Sequence, residues 1–138
     1  SQTLFLEPPW KAVLSNKAIL PLLWKEFKGH PNLLPCYFED ENPGDDLGSS
    51  YVKKPVFSRE GANVSVVENG QEVDFVDGPY DDSSYILQKY QPLPVFAGNH
   101  TLIGSWVVGD RSAGIGIRED STTITKDSSR FLPHIVVE

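Results

Sequence analysis

A dense group of apolar residues after Ser15 and Asn16 predicts a helix in the first quarter of the chain. Serine and asparagine cap the free N–H groups of a helix start, and Gly29 marks the expected end. Pro21 falls in the early turns, where proline does least damage. The apolar positions cover most of a helix circumference, so we expect burial on several sides. They are Ala18, Ile19, Leu20, Leu22, Leu23, Trp24 and Phe27. Residues 1–14, broken by two prolines, are expected to be extended or irregular.

Beyond residue 50, short apolar runs alternate with turn residues, a pattern that is typical of β structure. Asn69-Gly70 separates two such runs and is a strong signal for a hairpin. Residues 109–112 separate two further runs and predict a second hairpin. In its second strand, Ile115 and Ile117 share one face because they alternate with glycine. The expected strands are 51–54, 63–68, 71–76, 85–90, 101–108 and 113–118.

The other stretches are less regular. Residues 39–50 and 120–130 are polar and are predicted to form loops. Residues 30–40 fit either a strap or a strand, and so do residues 131–137. Together the patterns predict an α+β fold, with one or two helices and an antiparallel sheet.

Composition limits the kinds of function to consider. The chain has 138 residues, enough for one core, and a formal net charge of −7. This acidic balance argues against nucleic acid as a partner, although a nucleotide needs only a few well-placed cations. No apolar run approaches the ~20 residues of a membrane span, so no membrane partner is expected.

The cysteine and methionine content and the first residues of the chain add three expectations. Cys36 is the only cysteine, which excludes an internal disulfide and is compatible with a reducing, cytoplasmic compartment. No long apolar stretch follows the first residues, so a secretory signal is not expected. The sequence contains no methionine, so we expect a segment of a longer protein.

Lys53 and Lys54 occupy consecutive positions of a predicted strand, so they point to opposite faces. One of them could face a cleft and hold an anion such as phosphate. The alternative is an edge strand that lysine protects against aggregation.

Two further segments offer backbone groups to a ligand. Residues 57–63 form a glycine-containing loop, which can bring N–H groups close to phosphate oxygens, although it lacks the residue order of a P-loop. Residues 88–91 end a strand, where extended backbone beside an apolar slot can pair with an adenine edge. The alternatives are an ordinary turn and an ordinary strand end.

Arg118 ends a strand in which Gly114 and Gly116 share its face and leave room for a close approach. Its guanidinium could hold a phosphoryl or carboxylate oxygen. Glu119 and Asp120 suggest a magnesium site, but two adjacent acids on a turn are usually solvated. No histidine has a cysteine or histidine neighbour at zinc spacing.

Four blocks, taken in order, carry a resemblance to a known family. They are SNKAILPLLW at 15–24, HPNLLP at 30–35, YVKKPVFSREGAN at 51–63, and GSWVV with GIGIRED at 104–108 and 114–120. As a set they resemble the C-terminal part of the glutathionylspermidine synthase-like family of ATP-grasp ligases. The resemblance spans nearly the whole chain and implies part of an ATP-grasp fold.

The resemblance implies an ATP-dependent ligase that joins a small-molecule acid to an amine. In the family, ATP phosphorylates the carboxylate, the amine attacks the acylphosphate, and ADP and phosphate leave. ATP is thus the implied co-substrate, and Mg²⁺ is expected for the parent protein. The parent's acid and amine are its implied partners.

By matching position, the resemblance also implies site residues. Lys17 and Lys54 would contact the ATP phosphates or the adenine side, and the residue before Pro55 would be the lysine that faces the nucleotide. Arg118 would stabilise the charge that moves through the phosphoryl and tetrahedral species. The other implied nucleotide-binding residues are Glu60 and Gly61 over the phosphates, Gln88, Lys89, Tyr90 and Gln91 at the adenine hinge, and Thr123, Ile124 and Thr125 nearby.

The family's magnesium ligands lie upstream of the first block, so the segment alone is expected to be inactive. The expected division is a helical connection at 1–30, a small sheet with the nucleotide loop at 31–98, and return strands of the larger sheet at 99–138. Surfaces that pack on the missing part would be exposed and favour self-association, with residues 131–137 and the helix at 18–27 as candidates. Two alternatives stay open: a non-catalytic nucleotide- or protein-binding module, and a small antiparallel β domain that recognises another protein.

Overall fold

The computed structural model describes residues 9–81 and 84–137, which form two antiparallel sheets and a short helical section. The fold is α+β, as the sequence pattern predicts. In chain order, the elements are a 3₁₀ helix at Pro9–Ser15, helix α1 at Ile19–Glu26, and strands β1 at Cys36–Phe38, β2 at Ser50–Pro55, β3 at Val64–Glu68, β4 at Gln71–Val76, β5 at Tyr85–Lys89, β6 at Val95–Phe96, β7 at Asn99–Val108, β8 at Arg111–Asp120 and β9 at Arg130–Leu132.

The helical section differs from the prediction at its start. Residues 9–15 form a 3₁₀ helix rather than an irregular stretch, while residues 1–8 lie outside the described part of the chain. The Asn16 side chain accepts a hydrogen bond from the Ala18 amide at 2.8 Å, so Asn16 closes the turn that precedes α1. The Lys17 amide donates to the Val56 carbonyl at 3.0 Å, which fixes this turn beside the end of β2.

Helix α1 is not buried on several sides, contrary to the prediction. Within it, Pro21 and Trp24 are buried, while Leu22 is 56% exposed. Phe27, just beyond its end, is 54% exposed. The reason is that the first sheet covers only one side of α1, where Trp24 packs with Cys36 and Ile86, so only one stripe of the helix meets the core.

The first sheet has the order β1-β5-β2-β3-β4. The hairpin predicted at Asn69-Gly70 is confirmed, with both residues at positive φ (51° and 77°) between β3 and β4. One core cluster lies under α1 and contains Trp24, Cys36, Val56 and Ile86. A second cluster joins Val64 and Val66 of β3 to Ile124, which lies far away in sequence.

The second sheet has the order β6-β7-β8-β9 and is built on the long β7–β8 hairpin. Its turn is shorter than the predicted one: Gly109 and Asp110 both adopt positive φ, and β8 already begins at Arg111. The two-residue strand β6 has no clear sequence signal. Strands β1 and β9 resolve the two stretches that fit either a strap or a strand, although β9 covers only residues 130–132.

Residues 121–129 form the polar connection between β8 and β9, and this connection passes along the first sheet. Ile124 in the middle of this segment is only 6% exposed because it packs against β3. No helix in the described ranges is long and apolar enough to cross a membrane. Through Ile124, residues 121–129 contact the first sheet and form a wall beside it.

Candidate functional site

A cavity of about 280 Å³ lies where strands β2, β3 and β5 face residues 123–125. Ten of the twelve residues that the sequence singled out line this one cavity. They are Lys17, Lys54, Gly61, Gln88, Lys89, Tyr90, Gln91, Thr123, Ile124 and Thr125. The other lining residues, Leu34, Val52, Val64 and Val66, give the cavity an apolar wall.

Strand β2 separates the two adjacent lysines. The Lys54 ammonium donates to Gln88 Oε1 at 2.8 Å and lines the cavity. Lys53 points the other way, pairs with the Glu39 carboxylate, and lies over the Tyr85 ring at 4.5 Å. The edge-strand explanation is wrong, because β2 is hydrogen-bonded to β3 on one side and to β5 on the other.

Lys17 reaches the same cavity from the turn before α1. Its ammonium donates to the Ser58 carbonyl at 2.5 Å and to the Ser58 hydroxyl at 2.9 Å. Ser58 itself is only 8% exposed. Sequence reasoning missed Ser58 as a partner of Lys17, because nothing in a serine next to a strand end shows that it faces a residue 41 positions away.

Two lysine ammonium groups bring positive charge to the cavity. Burial lowers the pKa of Lys54, and the neighbouring charge of Lys17 lowers it further. Burial also lowers the pKa of Lys17, with a smaller effect from Arg59. Within the described ranges, no carboxylate forms an ion pair with Lys17 or Lys54. Two partly desolvated ammonium groups without counter-ions attract a negatively charged ligand.

Gly61 forms the turn at one end of the cavity, where any larger residue would displace its neighbours. Its φ is +79°, and a Cβ atom would lie 2.6 Å from the Thr125 carbonyl oxygen and 2.9 Å from Ile124 Cγ2. Glu60, predicted beside it, does not line the cavity. It borders a separate depression together with Arg59 and Lys126.

The strand end at Gln88–Gln91 forms the opposite wall, with part of its backbone already bonded. The Lys89 amide donates to the Pro35 carbonyl at 2.8 Å, and the Tyr90 amide donates to the Ser50 carbonyl at 3.2 Å. These two N–H groups are therefore not available to a ligand. Burial raises the pKa of the Tyr90 hydroxyl, with help from the nearby negative charges of Glu68 and Asp74.

Residues 123–125 form the third wall of the cavity. Two carboxylates that sequence reasoning did not assign to the nucleotide site form hydrogen bonds with this wall and its flanking residues. Asp74 on β4 accepts a hydrogen bond from the Thr123 hydroxyl. Asp120 accepts from the Thr122 amide at 2.9 Å and from the Ser129 hydroxyl at 2.6 Å. These bonds, that of Ser129 above all, lower the pKa of Asp120 to about 2. Asp120 is thus hydrogen-bonded within its own loop.

Arg118 does not line the cavity but lies beside its third wall. Its Nη2 donates to the Lys126 carbonyl, immediately after Thr125, and its guanidinium lies over the Phe131 ring at 4.9 Å. Its Nε is buried and has no hydrogen-bond partner among the described residues. The sequence predicts open space beside Arg118, where Gly114 and Gly116 lack side chains. Trp106 fills part of this space, because its Nε1 would lie 3.6 Å from a Cβ at Gly116.

The described part of the chain holds no cluster of three His, Cys, Asp or Glu side chains that could bind a metal ion. Cys36 is buried, and burial raises the pKa of its thiol to about 12, which disfavours a nucleophilic thiolate.

Comparison with known proteins gives relatives of one kind. The chain is 46% identical over 143 residues to a putative acid–amine ligase of Haemophilus influenzae, a match that covers 99% of this chain and 36% of that protein. It is 36% identical to the trypanothione synthetase of Crithidia fasciculata, covering 93% of this chain and 20% of the relative. It is 33% identical to the bifunctional glutathionylspermidine synthetase/amidase of Escherichia coli, covering 99% of this chain and 22% of the relative.

The chain thus spans about a third or less of the length of these relatives. The family model described as glutathionylspermidine synthase preATP-grasp matches residues 1–137. On this match, which extends over almost the whole sequence, the chain belongs to the glutathionylspermidine synthase family.

Proposed function

We propose that this chain carries the nucleotide site of an ATP-dependent ligase that joins a small-molecule acid to an amine. The names of the relatives, an acid–amine ligase and two synthetases, support this class of reaction. The observation that carries the proposal is the cavity itself: it gathers ten predicted residues around two partly desolvated ammonium groups that have no carboxylate partner in the described ranges.

In this proposal the two ends of the cavity bind different parts of ATP. Lys17 and the Gly61 turn receive the phosphates, because a cation and close backbone lie at that end. Lys54 donates to Gln88 at 2.8 Å, so it lies between the two ends, where its ammonium can contact a phosphate. Residues 88–91 and the apolar wall receive the adenine. The positive charge matches the negative charge that the phosphoryl group carries as it is transferred.

The reaction itself requires groups beyond this cavity. The acid is phosphorylated by ATP, and the amine then displaces the phosphate from the acylphosphate. Arg118 would stabilise the charge of that exchange from beside the third wall, where its Nε has a free donor. Any Mg²⁺ would be held by residues of the parent protein outside this segment, since the described residues offer no ligand cluster.

The parts of the chain are assigned on the same basis. We propose that residues 31–98 are the small sheet with the nucleotide loop, that residues 99–138 supply return strands of a larger sheet, and that residues 1–30 connect to the rest of a longer ligase. The segment corresponds to the C-terminal part of that ligase and is inactive by itself, and its parent acts on small molecules in the cytoplasm. Glu60 keeps a proposed place near the phosphates, at the outer side of the Gly61 turn.

Two measurements test the proposal. Calorimetric titration of this chain with ATP, with and without Mg²⁺, should give saturable binding that is tighter than for adenosine or tripolyphosphate alone, because each of these fills only one end of the cavity. A full-length parent should release ADP when an acid and an amine are both present. A parent that neither hydrolyses ATP nor forms ADP with any such pair would contradict the ligase assignment.

A second candidate is a module that binds nucleotide without catalysis. Two observations favour it for the isolated chain: Arg118 lies outside the cavity, and no metal cluster occurs in the described ranges. ATP turnover by this chain alone would exclude it, while binding without turnover in a full-length parent would support it over the ligase.

A further inference from the structure

Asn63 carries a buried amide that the proposed nucleotide contacts do not use. The residue is only 2% exposed, and both polar groups of its side chain are bonded. Oδ1 accepts from the Tyr80 amide at 2.9 Å, and Nδ2 donates to Asp81 Oδ1 at 2.7 Å. One side chain therefore holds two consecutive residues of the loop that follows β4.

The backbone conformation of Asn63 does not explain these bonds. Asn63 has a φ of 54°, a left-handed conformation that asparagine tolerates better than most residues. Asn69, in the β3–β4 hairpin, has nearly the same φ of 51°, yet it is exposed. A left-handed asparagine thus needs no buried partner, and the bonds at Asn63 require a different explanation.

The Gly61 turn, two residues before Asn63, is enclosed by chain on two sides. Towards the cavity, a Cβ at Gly61 would lie 2.6 Å from the Thr125 carbonyl oxygen. On the loop side, a Cβ at Gly78 would lie 2.6 Å from both Ala62 Cβ and Asn63 Oδ1. The turn cannot move away from the cavity unless the loop at 77–81 moves with it.

We infer that Asn63 is a positioning residue, whose amide ties the Gly61 turn to residues 80–81 and so holds the turn where the cavity receives phosphate. This inference rests on the proposed function and deepens it by naming a residue that touches no nucleotide. Release of the turn would leave an amide carbonyl and an NH₂ group unpaired in a buried place, so the tie resists displacement.

The test compares Asn63→Gly with Asn69→Gly in the full chain. Both substitutions remove a side chain and keep a left-handed backbone, so they share the same backbone effect. Gly78→Ala is the second variant: it leaves Asn63 intact but crowds its Oδ1 from the loop side. The readouts are amide hydrogen exchange at Ala62 and Val64, whose N–H groups close the turn on Arg59 and Gly61, and the Kd for ATP of the folded protein.

We expect Asn63→Gly to speed exchange of these two amides and to weaken ATP binding, each by about tenfold, as the loss of two buried hydrogen bonds implies. Gly78→Ala should act in the same direction and Asn69→Gly should change neither quantity.

Unchanged exchange in Asn63→Gly would overturn the positioning role even without nucleotide. A lowered stability with an unchanged Kd would assign Asn63 to the fold alone and equally overturn the inference. Failure of the wild-type chain to bind ATP is a separate result that contradicts the proposed function. Hydrogen exchange would still show whether Asn63 fixes the Gly61 turn to residues 80–81.

Discussion

Lys53 and Lys54 are neighbours in sequence, but one pairs with a surface carboxylate and the other lines a cavity. Strand alternation predicts that their environments differ, but it does not tell which of the two lysines faces the cavity. The resemblance to the ligase family selects Lys54, and the position of β2 between β3 and β5 gives the geometry. The partners Ser58 and Gln88 depend on contacts between distant segments, so sequence pattern alone could not pair them with these lysines.

At the residue scale, the lowered pKa of Lys54 predicts pH-dependent binding. Phosphate binds the ammonium form, so ATP affinity should fall as pH rises through the lowered pKa, below the ordinary value of 10.5. Titrations from neutral pH up to the ordinary value of 10.5 should show this fall. Lys54→Arg should flatten the profile because a guanidinium stays charged. An equally steep profile in Lys54→Arg would mean that Lys54 is not the titrating group.

Gly61 allows a second prediction at this scale, with Gly70 as its matched control. Both glycines have nearly the same φ (79° and 77°), but only at Gly61 would an added Cβ atom meet neighbours within 4 Å. Gly70→Ala should lower the free energy of unfolding by about 1 kcal/mol, the ordinary cost of left-handed alanine, and Gly61→Ala by about 2 kcal/mol or more. Urea unfolding of both variants measures this, and equal losses would show that the approach to Thr125 carries no strain.

At the element scale, the segment between β8 and β9 shows what sequence pattern leaves out. The pattern predicts a polar loop over residues 120–130, and the polarity is real, but Ile124 in its middle is buried against β3. A single apolar residue has no periodicity, so no pattern could identify it as core. The strands behave differently: β2, β3, β4 and β5 lie within one residue of their predicted ends, because alternation and turn residues mark them locally.

Asp120 organises this segment, and its titration predicts acid sensitivity. Its folded pKa of about 2 lies below the ordinary 3.8, so its contribution to stability is full above about pH 4 and is lost as pH falls towards 2. The free energy of unfolding of Asp120→Asn should therefore approach that of the wild type as pH falls through this window. Urea unfolding at several pH values measures the difference, and a difference that stays constant with pH would contradict the role of the carboxylate.

At the scale of the whole molecule, the distribution of apolar surface is uneven. The first sheet buries its core, whereas strand β7, strand β9 and the stretch after β9 expose large apolar side chains. Examples are Ile103 (63%), Trp106 (64%), Phe131 (71%) and Val136 (90%). Surfaces of this kind are usually covered by another chain or domain. The sequence predicts such a surface at residues 131–137 and on the helix at 18–27, where Leu22 and Phe27 are exposed. It does not predict one on the hairpin, whose residues have the pattern of ordinary strands.

This surface predicts reversible self-association of the isolated chain. Sedimentation velocity should show the mean sedimentation coefficient rising with concentration, because association removes apolar area from water. Replacing Ile135 and Val136 together by aspartate should reduce the effect. Replacing Val13 and Leu14 together by aspartate, which adds the same two charges at exposed apolar residues elsewhere (57% and 68%), should not. A wild-type chain that stays monomeric at all concentrations would contradict the prediction.

The most direct test of the central claim is calorimetric titration with ATP of three proteins: wild type, Lys54→Ala and Lys53→Ala. The two variants remove the same side chain from adjacent positions of one strand, on opposite faces. We expect Lys54→Ala to weaken ATP binding by about tenfold or more, since it removes a charged partner of phosphate, and Lys53→Ala to leave the Kd unchanged. Equal effects of the two substitutions, or no effect of Lys54→Ala, would contradict the assignment of the cavity as the nucleotide site.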